Sequence, residues 1–440
     1  MPTMLPFPFI LYILLFQTFN SLQEDPGSTS VMKWPDGKQG ALTLTYDDGS
    51  INQFKIAMPI MDSLGLPATF YIVTGGLEGS VNKPKFIGRP LEEILSESGR
   101  IPTNQENFFE RASAVGYLPY KGTLDYHYEA GTLFEQGKVE EAYRTIDEAY
   151  ALVSRGELPE GEDISNELAE TAENTWEDFR RYAGRGHEFG SHTITHPRLA
   201  VLDEANMLYE LEKSKEDIQM QLGEAHTFSA EGPFGTEDER VMEHAYEIYP
   251  ALRNRMPHAY LEELNRGSRK DPSISDKEYV QWQRGPLRNV PMETMKFWVD
   301  QTAEAGNIWL VLVFHGVEGI GWEPRTGEEL QTYFSYIKSK EKELWVATFK
   351  DVTKYIRERM GAEINSKMEG NGIRVTLTHS LDEDLYDYPL SLKTYIPAGW
   401  AKPSVRQGER IVFPDIITDK KGRYIIYQAV PNGGPVTINP

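Results

Sequence analysis

The stretch Thr43-Leu-Thr-Tyr-Asp-Asp-Gly-Ser50 decides how the rest of this chain is read. Leu42, Leu44 and Tyr46 alternate with Thr43 and Thr45, the period-two pattern of a strand. That strand runs directly into two adjacent carboxylates and a glycine. Side by side at a strand end, Asp47 and Asp48 are costly unless something cationic lies close by, so the stretch reads as a site. It also reads as an Asx-type turn closing a hairpin, with Asp-Gly as the turn dipeptide. Taken alone, it leaves both open.

Working outward, residues 51–64 place Ile56, Ile60 and Leu64 on one helical face, and Gly65 and Pro67 end it. Residues 68–74 form a second strand. Strand, helix and strand at this spacing make a βαβ unit, hence a parallel sheet or barrel. Residues 85–165 interrupt the pattern with helical periodicity. Within them 128–136 and 139–154 read as two helices joined at Gly137, like a single tetratricopeptide hairpin. One such hairpin cannot stack on copies of itself and is expected to pack on the main domain. It would wall the cleft or serve as structural elaboration. The parallel pattern resumes with a helix at 175–183, a strand and loop at 188–197, a long helix at 202–222 and short strands at 227–230 and 249–254. Residues 308–314 are apolar on both faces and belong in the centre of a sheet; they end at His315-Gly316. A helix at 330–340, a strand at 345–348 and a helix at 351–360 close the domain. From Asn371 short alternating segments separated by Pro, Gly and Asp predict a small antiparallel, β-sandwich-like unit over 371–440. Trp400 and tyrosines there are candidates for glycan contact, with packing the alternative.

Composition narrows the function. The net charge of −22 excludes a nucleic-acid partner and favours a neutral or cationic substrate, such as a glycan. With no cysteine in the chain, a metal must be held by His and carboxylate. Residues 5–19 form an apolar run followed by a polar segment, so 1–24 reads as a cleaved secretory signal, giving a secreted, periplasmic or cell-surface protein. The run is short for a membrane span, and no later stretch is long and apolar enough.

His192 and His196 stand four residues apart after Gly190, at a strand end, as Asp47 and Asp48 do. Such a pair is common by chance, but parallel strands bring their C-terminal ends to one rim, where α/β active sites lie. His315 ends a third strand. Two carboxylates and three imidazoles on three strand ends favour a site over coincidence.

Thr45-Tyr-Asp-Asp-Gly49, Gly190-Ser-His-Thr-Ile-Thr-His-Pro197 and Val313-Phe-His315 resemble successive motifs of the polysaccharide deacetylases, the NodB-homology enzymes of carbohydrate esterase family 4. The resemblance covers about 38–75 and 175–360. It implies a distorted (β/α) barrel over 38–365, with the helical insertion at about 85–170, that removes acetyl groups from sugars. Asp48, His192 and His196 would hold a divalent metal, zinc first, with cobalt, nickel or iron as alternatives. Asp47 would be the general base and His315 a general acid of near-neutral pKa. The oxyanion would be met by the metal and a backbone N–H, that of Phe234. Trp322 would stack on a sugar or an acetyl methyl, or simply pack its loop. The chain departs from the family at its third motif. The family's arginine before Pro-aromatic-Gly is missing from Ala230-Glu-Gly-Pro-Phe-Gly235, and Glu231 sits about where it would be. Arg253 or Arg255 on the next strand would then orient the base. Alternatives in the same class are a sugar O-acetyl esterase or an amide hydrolase on a small molecule. A catalytically impaired glycan-binding protein is the alternative outside it. The sugar and the oligomeric state are not specified by these residues.

Overall fold

A computed structural model describes residues 23–235, 238–256 and 258–440; the apolar run at 5–19 lies outside them. The chain divides into two compact units. The larger comprises 32–361 and 380–390, and the smaller comprises the N-terminal residues to 31, 362–379 and 391–440.

The larger unit is built on one parallel sheet. Its strands in chain order are β1 Gly40–Tyr46, β2 Ala68–Ile72, β3 Glu188–Ser191, β4 Ser229–Ala230, β5 Ala251–Leu252, β6 Leu261–Leu264, β7 Tyr279–Arg284, β8 Ile308–Phe314 and β9 Leu344–Val346. In space they run β5-β4-β3-β2-β1-β8-β7-β6, and β9 pairs with the start of β1. Every neighbouring pair is parallel. The sheet is a curled, open (β/α) half-barrel. Its two edges, β5 and β6, are consecutive in the chain.

Alternation explains why β1 and β8 lie at the centre. Leu310, Leu312 and Phe314 join Leu42, Leu44 and Tyr46 in the cluster packed under the helices. Trp309, Val311 and Val313 point into a second cluster with Ala41 and Phe349. On that second face β1 carries threonines, and each is satisfied. Thr43 Oγ1 accepts from Trp309 Nε1 at 2.9 Å, and Thr45 Oγ1 donates to the Leu312 carbonyl at 3.0 Å. Buried hydroxyls need such partners.

The helix expected at 51–64 contains a π-helical turn, Gln53–Ala57, before its α-helical part Met58–Leu64. Such turns recur at functional sites. Here Gln53 Nε2 donates to the carbonyls of both Asp47, at 2.5 Å, and His315, at 2.9 Å, tying two strand ends together.

The insertion has four helices, Leu91–Ser98, Phe108–Val115, Thr123–Glu135 and Val139–Ser154. Gly137, at φ 75°, joins the last two. They share a core of their own that also takes in Val201 from the barrel. A shorter helix, Asn166–Thr171, returns the chain to the strand ends. Strands β6 and β7 were not anticipated. Leu-Glu-Glu-Leu at β6 and the buried Gln281 and Gln283 of β7 mask the apolar pattern.

The second segment of the smaller unit starts at Ala362, nine residues before Asn371, where the sequence pattern changes. The reason is the antiparallel hairpin of Glu363–Glu369 with Gly372–Thr378, which opens a five-stranded sheet. A four-stranded sheet includes Thr29–Val31. Trp400 is only 8% exposed, which makes it a packing residue.

Gly190 is required by close approach, because a Cβ there would lie 2.8 Å from the Ser229 carbonyl oxygen and 2.8 Å from the Tyr71 ring. Gly190→Ala is expected to cost about 1–3 kcal/mol by overpacking. This would appear as a lower urea midpoint at unchanged m-value.

Candidate active site

The C-terminal ends of six strands meet at one rim. Asp47 and Asp48 follow β1, His192 and His196 follow β3, Glu231 follows β4, Arg253 follows β5, Arg266 follows β6 and His315 follows β8. All except Arg253 line one pocket of about 310 Å³, together with Glu167, Arg198, Phe234 and Trp322. Arg253 lies buried beneath it. Asp48, Thr193, His196 and Phe234 all have positive φ, between 62° and 75°. Strain of this kind, on the order of 1–3 kcal/mol per residue, collects where surrounding structure imposes a geometry.

Much of that imposition is visible. Glu210 accepts from the backbone N–H groups of Ile194 and Thr195 at 2.8 and 2.9 Å, clamping the loop between the two histidines. Thr171 donates to the Asp48 carbonyl and Asn174 to the Gly49 carbonyl, so the end of the insertion grips the β1 loop.

Asp48, His192 and His196 offer three ligand atoms within 4.8 Å of one another. The Nε2 atoms of His192 and His196 lie 3.6 and 3.5 Å from Asp48 Oδ1. Three ligands at ~2.1 Å from a tetrahedral metal would be separated by about 3.4 Å. The spacing fits an ion held between these atoms better than hydrogen bonds among them, which would be shorter. His192 Nδ1 bonds to the Glu231 carbonyl at 2.9 Å, which leaves the Nε2 lone pair for an ion. His196 Nδ1 faces Glu167 Oε2 at 3.4 Å, an electrostatic contact. The cluster therefore fits a divalent cation. Burial lowers His192, but the carboxylates of Asp48 and Asp47 outweigh it and leave it raised to about 9. Burial and the neighbouring His192 push His196 down to about 3.

Asp47 takes a different partner. Arg253 Nη1 and Nη2 reach its two oxygens at 2.6 Å each, a bidentate fork. Nη1 also donates to Thr45 Oγ1 at 2.8 Å, and Nη2 pairs with Glu231 Oε1 at 2.7 Å. Burial opposes the charge on Asp47, but Arg253 and then His315 outweigh it and hold the carboxyl well below the usual range. Burial pushes Glu231 up while Arg253 pulls it back. Of the two arginines singled out in the sequence, Arg253 is the one on the base; Arg255 is exposed and lines a neighbouring pocket instead.

His315 Nε2 is 3.4 Å from Asp47 Oδ2. Its Nδ1 is buried without a hydrogen-bond partner among the described residues. The near-neutral pKa expected for it is not found, because burial pushes it down to about 4, against the pull of Asp47. Trp322, 51% exposed, stands edge-on to His315 with ring centroids 4.7 Å apart. Phe234, 42% exposed, packs edge-on to His196 at 4.7 Å, with the Arg198 guanidinium 4.3 Å from its ring centroid. Sequence reading missed Glu167, Glu210, Gln53 and Arg266. They sit outside the motifs, on helices or in the turn after an unanticipated strand, and no spacing pointed to them.

Residues 165–248 match the family model described as polysaccharide deacetylase. That segment is similar to the polysaccharide deacetylase family. Enzymes of this family are metal-dependent hydrolases acting on acetylated carbohydrates. A gellan lyase from a Bacillus species is 28% identical over 283 residues, covering 61% of this chain and 11% of that protein. The chain thus spans about a tenth of that relative's length. Among solved structures, the Bc1960 peptidoglycan N-acetylglucosamine deacetylase is similar at 15% identity and a TM-score of 0.35, over 72% of this chain and 88% of that one. A family 4 carbohydrate esterase from Bacillus anthracis is similar at 13% identity and a TM-score of 0.33, over 72% and 83%.

Two outcomes are expected of the supporting charges. Glu167→Gln should weaken zinc or cobalt binding by roughly 10–100-fold, measured by competition with a chromophoric chelator. Arg253→Lys keeps a cation but loses the fork. It should raise the pKa of Asp47 and move the acid limb of the kcat/KM profile to higher pH.

Proposed function

We propose that the chain is a secreted, metal-dependent deacetylase that hydrolyses N- or O-linked acetyl groups on a polysaccharide or oligosaccharide. The observation that carries this reading is the division of two adjacent carboxylates. Asp48 faces His192 and His196, while Asp47 is gripped by Arg253 and faces His315. A protein that only held a glycan would have no use for a buried carboxylate kept ionised beside an imidazole. The apolar run at 5–19 supports secretion. Among the described residues no helix is long and apolar enough to cross a membrane.

Asp48, His192 and His196 would hold the metal, zinc being the best match to two imidazoles and one carboxylate. A divalent ion bound there supplies Lewis-acid polarisation of the acetyl carbonyl and lowers the pKa of a water. Asp47, held ionised by Arg253, takes the proton of the attacking water. His315 is neutral at pH 7 and so cannot begin the reaction as an acid. Its Nε2 is close enough to Asp47 to receive that proton. His315 then delivers the proton to the leaving nitrogen or oxygen of the sugar. The Phe234 N–H, at the edge of the same pocket, would be the backbone donor to the developing oxyanion. Trp322 would flank the acetyl methyl or the sugar ring from the His315 side.

Acetate release from chitin oligomers, acetylated peptidoglycan and acetylated xylan tests the reading. At least one glycan should yield acetate, the yield should vanish on exhaustive chelation, and added zinc or cobalt should restore it. No release from any of them by the metal-replete protein would contradict it.

A further inference from the structure

Next to the catalytic pocket lies a second one of about 220 Å³, and Phe234 and Arg266 line both. Its other polar walls are Asn254, Arg255, Asn265 and Gln283. Ligand sites for drug-sized molecules begin at ~300 Å³, so this volume suits one sugar unit or less.

The chemistry of the lining is unusual for this chain. With 67 acidic against 45 basic residues, arginines here readily find carboxylates, as Arg89, Arg111, Arg198 and Arg253 do. Arg255 and Arg266 are exceptions. Among the described residues neither guanidinium has a carboxylate within ion-pair distance or a side-chain hydrogen bond. Arg266 is near enough to the reacting groups that its charge lowers both Glu231 and His315. Gln283 adds a second, independent feature. It is 1% exposed, its Nε2 donates to the Arg253 carbonyl at 2.9 Å, and its Oε1 has no partner. A buried acceptor left open is costly unless a ligand donor meets it.

We propose that this second pocket binds the carboxylate and a hydroxyl of a uronic acid unit next to the acetylated sugar. The preferred substrate would then be an acidic, acetylated glycan. This rests on the deacetylase reading above. Two guanidiniums suit a carboxylate, which an arginine can grip through two parallel N–H bonds, and the Gln283 Oε1 suits a sugar hydroxyl. The overall charge of −22 favours a neutral or cationic substrate, but recognition is local. Exposed charges farther than about 8–10 Å are screened at physiological salt, while Arg255 and Arg266 line the pocket and would meet a bound carboxylate at contact distance.

The test compares acetate release from acetylated uronate-containing oligosaccharides with release from the same oligosaccharides after carboxyl reduction. The expected wild-type preference for the acidic form is tenfold or more in kcat/KM, carried by KM. Arg266→Gln and Arg255→Gln should each bring the acidic-to-neutral ratio toward one. No preference in the wild type overturns the proposal. So does an equal loss on both substrates in Arg266→Gln, which would make that arginine a charge balance for the catalytic acids. A sulfated neutral glycan preferred as strongly as the uronate would overturn the carboxylate assignment. Calorimetric binding of a deacetylated uronate oligosaccharide to the metal-free protein is independent of turnover. Binding that Arg255→Gln weakens at least tenfold supports the pocket even if no substrate releases acetate. Absent binding there, with acetate released elsewhere, sinks the pocket and leaves the deacetylase reading standing.

Discussion

Two carboxylates on consecutive residues, both buried, are the constraint on which the rest of this site depends. Neither can be desolvated as a free anion, and adjacent like charges raise the cost. The chain answers with two separate cationic partners. Arg253 grips Asp47 through both of its oxygens, and the two imidazoles with Asp48 form a cradle for a divalent ion. Asp47 and Asp48 are thus matched by one guanidinium and a doubly charged ion, and Glu231 shares that guanidinium. Deleting one partner of such a network costs ~3–5 kcal/mol, because it strands the others.

The open barrel explains how Arg253 reaches the base. β5 and β6 are consecutive in the chain yet form opposite edges of the sheet, so the turn after β5 spans the gap. Gln281 and Gln283 of β7 both donate to the Arg253 carbonyl, at 2.6 and 2.9 Å, and close that gap with side chains in place of a ladder. Glu231, where the family pattern has an arginine, becomes a second carboxylate on the same guanidinium. The charge has moved by one strand while the contact to the base is kept. The insertion takes part as well, since Glu167, Thr171 and Asn174 at its C-terminal end touch His196, Asp48 and Gly49.

The parallel architecture could be read from the sequence wherever apolar alternation was clean, as in β1 and β8. It was hidden in β6 and β7, where the half-buried Glu262 and Glu263 and the buried Gln281 and Gln283 interrupt the core residues Leu261, Leu264, Val280 and Trp282. Asp47, Asp48, His192, His196 and His315 were visible because strand-end position and motif agreed. The choice of Arg253 over Arg255 was not visible. Both follow the same two-residue strand, and only the turn conformation decides which guanidinium enters the barrel. Nor could sequence give the low pKa of His315, which comes from burial against a loop whose path no local pattern predicts.

The division of labour between the two acids is tested most directly by comparing Asp47→Asn and Asp48→Asn for bound metal and for acetate release. Asp47→Asn should still hold one divalent ion per chain while turnover falls by roughly 10²–10⁴-fold. Asp48→Asn should lose the metal itself. Full activity in Asp47→Asn, or loss of metal from both variants alike, would contradict the account.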